Sequence, residues 1–412
     1  MAAPSFTTLD RELADPELVR DPYPTYARLR AEDPVHWCEP WGQWVLTRFA
    51  DVQAVTLDPA RFSSAGWEGT YLGGLGSETR AALPDLERHY STSVLSNTDP
   101  PAHGRLRRPV VRSFTPRVLE AIRPDVERLV ETMLNGVDRP GTVDFLAEFA
   151  YPLPAIVIAR LLGAPEAEAP RFERWSADIV AFVGSGRALP DRAVRADASL
   201  GEFRAYLEPL IEEARGRPRA DLISTLAATG EDGDGLGADE LVSTCVTLLF
   251  AGHETTANLI GNGLLALLRH PDELERLREE PALAASAVEE LLRYDSPVQR
   301  LRRRATEDVE LDGRAVRAGD LVMAFTGAAN RDPERFDDPD RLDIARGDAG
   351  HLSFGHGVHF CVGAALSRLE AQVAFTGLLR RFPRLRLAPE APVRWKPNIT
   401  FRGLESLPLE LR

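Results

Sequence analysis

Phe354-Gly355-His356-Gly357-Val358-His359-Phe360-Cys361-Val362-Gly363-Ala364-Ala365-Leu366-Ser367-Arg368-Leu369-Glu370 places one cysteine in a glycine-punctuated loop and follows it at once with a helical pattern. Gly355, Gly357 and Gly363 let the backbone take positive φ or pass close to another group. Successive backbone N–H groups in such a loop can point inward at the Cys361 sulfur. Ala364, Ala365, Leu366 and Leu369 read as a helix, whose N-terminal end carries partial positive charge. Both features favour thiolate over thiol. A buried thiolate dressed with N–H donors is what a haem iron requires of an axial cysteine, because those bonds tune the electron density it donates.

The run resembles the haem-binding signature of the cytochrome P-450 family, Phe-Gly-x-Gly-x-His-x-Cys-x-Gly-x-x-Leu-Ala-Arg. It matches at Phe354, Gly355, Gly357, His359, Cys361, Gly363, Leu366 and Arg368. Ser367 stands where the family usually has alanine, a small-for-small change. A lone structural cysteine beside a tight turn does not need so many fixed neighbours.

A second stretch violates the rules of a core helix. Glu240 to Arg269 is nearly unbroken helix, about 45 Å long, and Leu241, Val242, Val246, Leu248, Leu249 and Phe250 make it apolar on most sides. In its middle stands Ala251-Gly252-His253-Glu254-Thr255-Thr256. Glycine inside a helix costs about 1 kcal/mol relative to alanine, and an unpaired carboxylate in a core costs more. Such violations tend to mark function. A small residue, an acid and a hydroxyl suit a helix crossing the face of a flat cofactor. The segment is similar to the family's Ala/Gly-Gly-x-Asp/Glu-Thr-Thr oxygen-activation motif.

Composition sets outer limits. The chain has 412 residues, which alone suggests roughly two or three domains. The net charge of −14 argues against nucleic acid as a general partner. Cys38, Cys245 and Cys361 are the three cysteines, unpatterned, so neither a disulfide framework nor a zinc site is indicated and a cytoplasmic location fits. The N-terminus has no signal pattern, and no apolar run approaches a membrane span. No flavin, iron–sulfur or dinucleotide motif follows the cysteine loop, so electrons are expected from another protein.

Elsewhere the chain reads as helices and short strands. Val35 to Thr47 is a hairpin, Phe49 to Thr56 a helix, and Val118 to Val137 and Phe145 to Leu162 are long amphipathic helices. Pro170 to Phe182 and Ala193 to Arg215 read as two helices joined by a Gly/Pro-containing segment, which by position resembles the family's mobile helix pair over the substrate. Gly230 to Gly237 is a flexible acidic linker without calcium-loop spacing. Arg105 to Arg117 carries five arginines and no acid, a local basic block on an acidic chain that suits an acidic redox partner.

The resemblance covers nearly the whole chain and implies one domain over residues 1–412, a mainly α, helical P-450 prism around haem with a small β-rich region. It implies a haem-thiolate monooxygenase that uses haem b, O2 and NAD(P)H-derived electrons delivered by a ferredoxin and its reductase. It also implies a cytoplasmic monomer with no membrane or nucleic-acid partner. Cys361 is then the iron ligand, in a loop begun by Phe354 and closed by Gly363. Glu254 and Thr255 deliver protons. His103, Arg107, Arg303 and His359 hold the propionates, His103 and Arg107 falling at i and i+4 on one helical face. Glu290 and Arg293 match the family's structural Glu-x-x-Arg, with Arg341 as the arginine that locks it. Trp67, Tyr71, Val94, Phe182, Thr247 and Phe250 are candidates for the substrate pocket. So are Ala251, Val298, Gln299, Leu301, Thr400 and Phe401. A peroxide-driven peroxygenase of the same fold usually lacks the acid–alcohol pair, and a gas sensor needs an output domain. A haem carrier has no use for a proton-delivery motif.

Overall fold

The computed structural model describes residues 6–66, 69, 71–184, 190–228, 235–389 and 392–411. The described residues gather into two compact units that interleave along the chain. One takes Met1–Ala65, Asn262–Cys361 and Pro392–Leu407, the other Gly66–Gly261, Val362–Ala391 and Pro408–Arg412.

The first unit holds the β-rich region. Its five-stranded sheet runs in the order Val35–Cys38, Gln43–Leu46, Leu321–Ala324, Leu301–Ala305, Phe62–Ser63. The first two strands form the expected hairpin, with Val35 opposite Leu46. Leu321–Ala324 then joins parallel to Gln43–Leu46 and antiparallel to Leu301–Ala305. Alternation along the strands sends Leu46, Val322 and Ala324 into one core with Phe49, Val52 and Phe336. Val45 and Met323 go to the opposite face with Tyr26, Leu29 and Phe325. Both faces are therefore covered, which explains why these strands read as apolar runs.

Helices make the second unit. Pro116–Val137 starts on a Thr115 cap, whose hydroxyl accepts from Val118 N. It packs against Ala364–Arg381 so closely that a Cβ on Gly377 would lie 2.9 Å from Val130 Cγ1. The expected helix pair is present as Ala169–Gly184 and Pro190–Gly216, joined through Trp175, whose ring lies 4.3 Å from that of Phe203. The segment joining the pair, at residues 185–189, falls outside the described residues, as do residues 229–234 of the acidic linker. Ala238–Arg269 is one continuous helix, with Asp239 and Glu240 in its first turn and Arg269 in its last, matching the helix dipole.

One expected helix is not continuous. Phe145 to Leu162 divides into a π-helical turn, Leu146–Ala150, and an α-helix, Pro152–Leu162. Pro152 and Pro154 have no N–H to give, so the ordinary ladder cannot pass through them. Tyr151 N instead donates five residues back to Leu146 O at 3.0 Å. The π turn rotates the residues after it relative to a regular helix.

Candidate active site

The cysteine loop closes on itself by backbone hydrogen bonds. Gly355 N donates to Leu352 O at 2.9 Å, Phe360 N to Gly357 O at 3.0 Å and Cys361 N to Phe354 O at 2.9 Å. Gly355 and Gly357 both stand at φ 68°, where a side chain is strained. A Cβ on Gly357 would also lie 2.9 Å from Thr56 O. Gly363 differs, for its φ of −87° is ordinary; it caps the helix Ala364–Arg381, its carbonyl accepting from Ser367 N at 2.9 Å. Cys361 is half-buried in this loop, between Phe360 and the helix start. Cys38 and Cys245 are fully buried, and burial pushes both thiols up to about 12, so neither supplies a thiolate.

Behind the loop lies a buried polar frame. Arg293 and Glu290 pair through two hydrogen bonds of 2.7 and 2.8 Å with almost no exposure. The arginine that completes the pair is Arg346, whose Nε lies 3.1 Å from both Glu290 oxygens. This corrects the expectation for Arg341. The Arg341 side chain is exposed, and only its carbonyl takes part, accepting from Arg293 and Arg346. Arg293 also donates to Asn330 O at 2.9 Å. Asn330 in turn bonds Ser296 Oγ, Ser353 Oγ and Leu352 N at 2.8, 2.8 and 2.7 Å. The frame thus reaches the two residues before Phe354. Asn330, Ser353 and Arg346 carry no local signal, because their partners are distant in sequence.

On the long helix, Glu254 is buried to 1% exposure and accepts from Asn258 Nδ2 at 3.4 Å. Thr255 is half-exposed and donates its hydroxyl to Ala251 O at 2.7 Å. A Cβ on Gly252 would make only ordinary contact with Ile158, 3.7 Å away, so packing does not demand that glycine. Thr256 is buried and donates to Ser367 Oγ at 3.1 Å. Ser367, the departure from the family signature, therefore ties the two helices of this unit by a side-chain bond. One turn further along the same helix face, Glu370 is fully buried, and burial raises its pKa well above the carboxylate range.

His103 and Arg107 share a face of the helix Ala102–Ser113, as expected. His103 is buried, and burial, reinforced by the Arg107 charge, lowers its pKa. Arg105, on another face, bonds Glu240 at 2.9 Å. The basic block therefore presents Arg108, Arg112 and Arg117 to solvent rather than all five arginines. In the first unit, Arg303 points to the same face of its strand as Leu301 and Ala305, is 7% exposed, and donates to Arg302 O. His359 is half-buried on the 3-10 turn Gly357–His359.

The pocket candidates divide. Trp67 lies outside the described residues. Tyr71, Tyr90 and Phe182 form an aromatic cluster with ring separations of 5.1, 5.7 and 6.0 Å, and Val94 is buried in the same unit. Thr247 and Phe250 are half-buried and Ala251 is exposed, all on the long helix. In the first unit Val298 bridges Phe401, Leu301 lies beside Gly355 and the Thr400 hydroxyl accepts from Arg300. Gln299 is 2% exposed and donates to Ser296 O at 2.7 Å. Its side chain is turned into the interior of its own unit, which corrects its assignment to the pocket.

Comparison with known proteins places this geometry. The model of the family described as Cytochrome P450 matches residues 76–398. The chain is 43% identical to "Cytochrome P450 monooxygenase PikC" of Streptomyces venezuelae, over 98% of this chain and 94% of that protein. It is 40% identical to "6-deoxyerythronolide B hydroxylase" of Saccharopolyspora erythraea, over 95% and 96%. Among solved structures, P450BioI in complex with an acyl carrier protein ligated to hexadec-9Z-enoic acid superposes with a TM-score of 0.89 at 37% identity, covering 97% of this chain and 100% of that one.

Proposed function

The chain belongs to the cytochrome P450 family and is a haem-thiolate monooxygenase, and from that premise we propose which of its residues carry the reaction. Bound haem b supplies the centre at which O2 is activated with NAD(P)H-derived electrons, one oxygen atom entering an organic small molecule and the other leaving as water. The donor set suits that group, with one soft sulfur for iron and several N–H-rich side chains for two propionates. Cys361 is the iron ligand, held by the Phe354–Gly363 loop. His103, Arg107, Arg303 and His359 bind the propionates.

Glu254 and Thr255 deliver protons, Glu254 as the acid and Thr255 as the hydroxyl that directs the proton to its target. The observation that carries this assignment is a carboxyl group 1% exposed beside a half-exposed hydroxyl, in the middle of a largely buried helix. Burying a carboxyl group costs several kcal/mol unless hydrogen bonds or a counter-charge offset it, so a fold that keeps one here spends stability on it. The same pair argues against a peroxide-driven enzyme, which does not need protons delivered in this way.

Electrons come from a separate ferredoxin and its reductase, docking where Arg108, Arg112 and Arg117 stand exposed with Val111, itself 44% exposed, on a chain of net charge −14. The protein acts as a cytoplasmic monomer. The chain forms one haem domain, in keeping with units that each take three separated stretches of it. No described helix is long and apolar enough to cross a membrane. The substrate is an organic small molecule with an apolar part, in keeping with the Tyr71–Tyr90–Phe182 cluster.

Measuring NAD(P)H, product and peroxide together tests the roles. Positioned proton transfer contributes about 10²–10⁴-fold. Thr255→Ala should keep consuming NAD(P)H while product per NAD(P)H falls about tenfold or more and peroxide rises. Glu254→Gln should slow the whole cycle. Undiminished coupling in Thr255→Ala would show that another group directs the protons.

A further inference from the structure

The helix Pro84–Ser91 has eight residues, and a helix that short is not stable by itself in water. Its start is poorly provided for. Leu83 stands at the N-cap with no side chain that can accept a hydrogen bond, and Pro84 follows it. The N–H groups of Asp85 and Leu86 therefore have no partner within the helix. Both are instead taken by Asp197. Its Oδ1 accepts from Asp85 N and from Leu86 N, each at 2.9 Å, from a place 112 residues beyond Asp85 in the chain.

Asp197 lies on the helix Pro190–Gly216, and that helix is shaped to receive the shorter one. Asp197, Gly201 and Arg204 recur at i, i+4 and i+7, one stripe of its surface. A Cβ on Gly201 would stand 2.7 Å from Asp85 Oδ2, so a side chain there would displace that carboxylate. Arg204 lies 3.7 Å from Asp85 and 2.9 Å from Asp239, and Arg88 reaches the same Asp239 carboxylate at 2.6 Å. Arg88 and Asp239 both meet solvent, where an ion pair contributes little. On the inner face of the short helix, Leu86, His89 and Tyr90 are buried. The Tyr90 ring is the one that meets Tyr71 and Phe182.

We propose that Asp197 is a positioning residue for the Tyr71–Tyr90–Phe182 cluster: it caps the helix Pro84–Ser91 from outside, so that this wall of the cluster forms only while the helix lies against Pro190–Gly216. An ordinary cap belongs to the chain just before its helix and travels with it. A cap supplied by a second helix makes the folding of the first and its docking a single event. The Asp197 carboxylate also meets the positive end of the helix dipole. Without it two N–H groups turn to water, the short helix frays, and Tyr90 loses its fixed place. Entry to the cluster is thus governed from the outer side of the helix that walls it.

This inference deepens the reading of that cluster as part of the substrate pocket and rests on it for its consequence, though not for its test. In the haem-loaded protein, amide hydrogen exchange reports the opening of residues 85–91. Asp197→Ala should speed exchange of the Asp85 and Leu86 amides about tenfold, as expected for a lost helix cap. Asp197→Asn keeps an acceptor oxygen in the same place and should stay within about threefold of the parent. Arg88→Ala, which removes an exposed ion pair, should also stay within about threefold. Unchanged exchange of the two amides in Asp197→Ala would overturn the proposal. So would an equal rise in Asp197→Asn, or a rise that extends to the helix Pro116–Val137. The rate at which phenylimidazole reaches the haem iron, followed by absorption in stopped flow, tests the consequence. It should rise several-fold in Asp197→Ala and stay near the parent value in Asp197→Asn. If exchange rises and this rate does not, Asp197 caps the helix as stated, and the assignment of the Tyr71–Tyr90–Phe182 cluster to the pocket fails.

Discussion

His89 lies in the interior of the helical unit, edge-on to Tyr90 at 5.2 Å. Burial, helped by the charge of Arg204, lowers its pKa from 6.5 to about 4. The folded state therefore prefers the neutral ring, while the unfolded chain takes up a proton below about 6.5. The contribution to stability is complete above that pH and is lost as pH falls towards 4, reaching about 2 kcal/mol at pH 5. His103, lowered by burial and Arg107, acts in the same direction. His89→Leu should thus lose about 2 kcal/mol less than the parent between pH 7 and pH 5 in urea unfolding. Equal losses in the two proteins would mean that His89 is not held neutral. Single residues differ in how readily their place can be read from sequence. Glu254 and Cys361 stand out because each breaks a local rule, an acid in an apolar helix and a cysteine between glycines. Gln299, Tyr71 and Phe182 obey every local rule, and only their neighbours decide that Gln299 turns inward and that the two aromatic rings meet Tyr90.

Elements were legible where periodicity and punctuation agree. The Val35–Leu46 hairpin, the long helix Ala238–Arg269 and the helix after the cysteine all appear as their patterns require. The π turn at Leu146–Ala150 was hidden, because apolar spacing does not reveal a ladder that two prolines force to open by one residue. Arg346 was hidden for another reason. The segment after Pro339 offers both Arg341 and Arg346, and the path of the backbone, with Asp338 at a positive φ of 45°, decides which one reaches Glu290. Arg346→Ala leaves a buried carboxylate with one guanidinium instead of two, and should cost about 1–3 kcal/mol in urea unfolding and weaken haem retention. Arg341→Ala removes an exposed side chain and should stay within about 0.5 kcal/mol. The reverse order would restore Arg341 to the position first expected of it.

At the scale of the whole molecule, two motifs separated by 97 residues in sequence, Ala251–Thr256 and Phe354–Glu370, were enough to give the mostly helical fold with a small β-rich region and the haem-thiolate chemistry. What they could not give was the interleaving of the chain between two compact units, each assembled from three stretches, because that follows from contacts between distant segments. Which arginines of the basic block stand exposed is likewise a property of the folded surface, since Glu240 withdraws Arg105 from it. Everything proposed for the reaction depends on Cys361 as the thiolate, and one measurement addresses that directly. The reduced protein is treated with carbon monoxide and its absorption recorded for the parent, Cys361→His and Cys245→Ser. The parent and Cys245→Ser should both show the long-wavelength band for which the family is named, and Cys361→His should move it to the shorter-wavelength position of histidine-ligated haem. An identical long-wavelength band in Cys361→His would contradict the assignment.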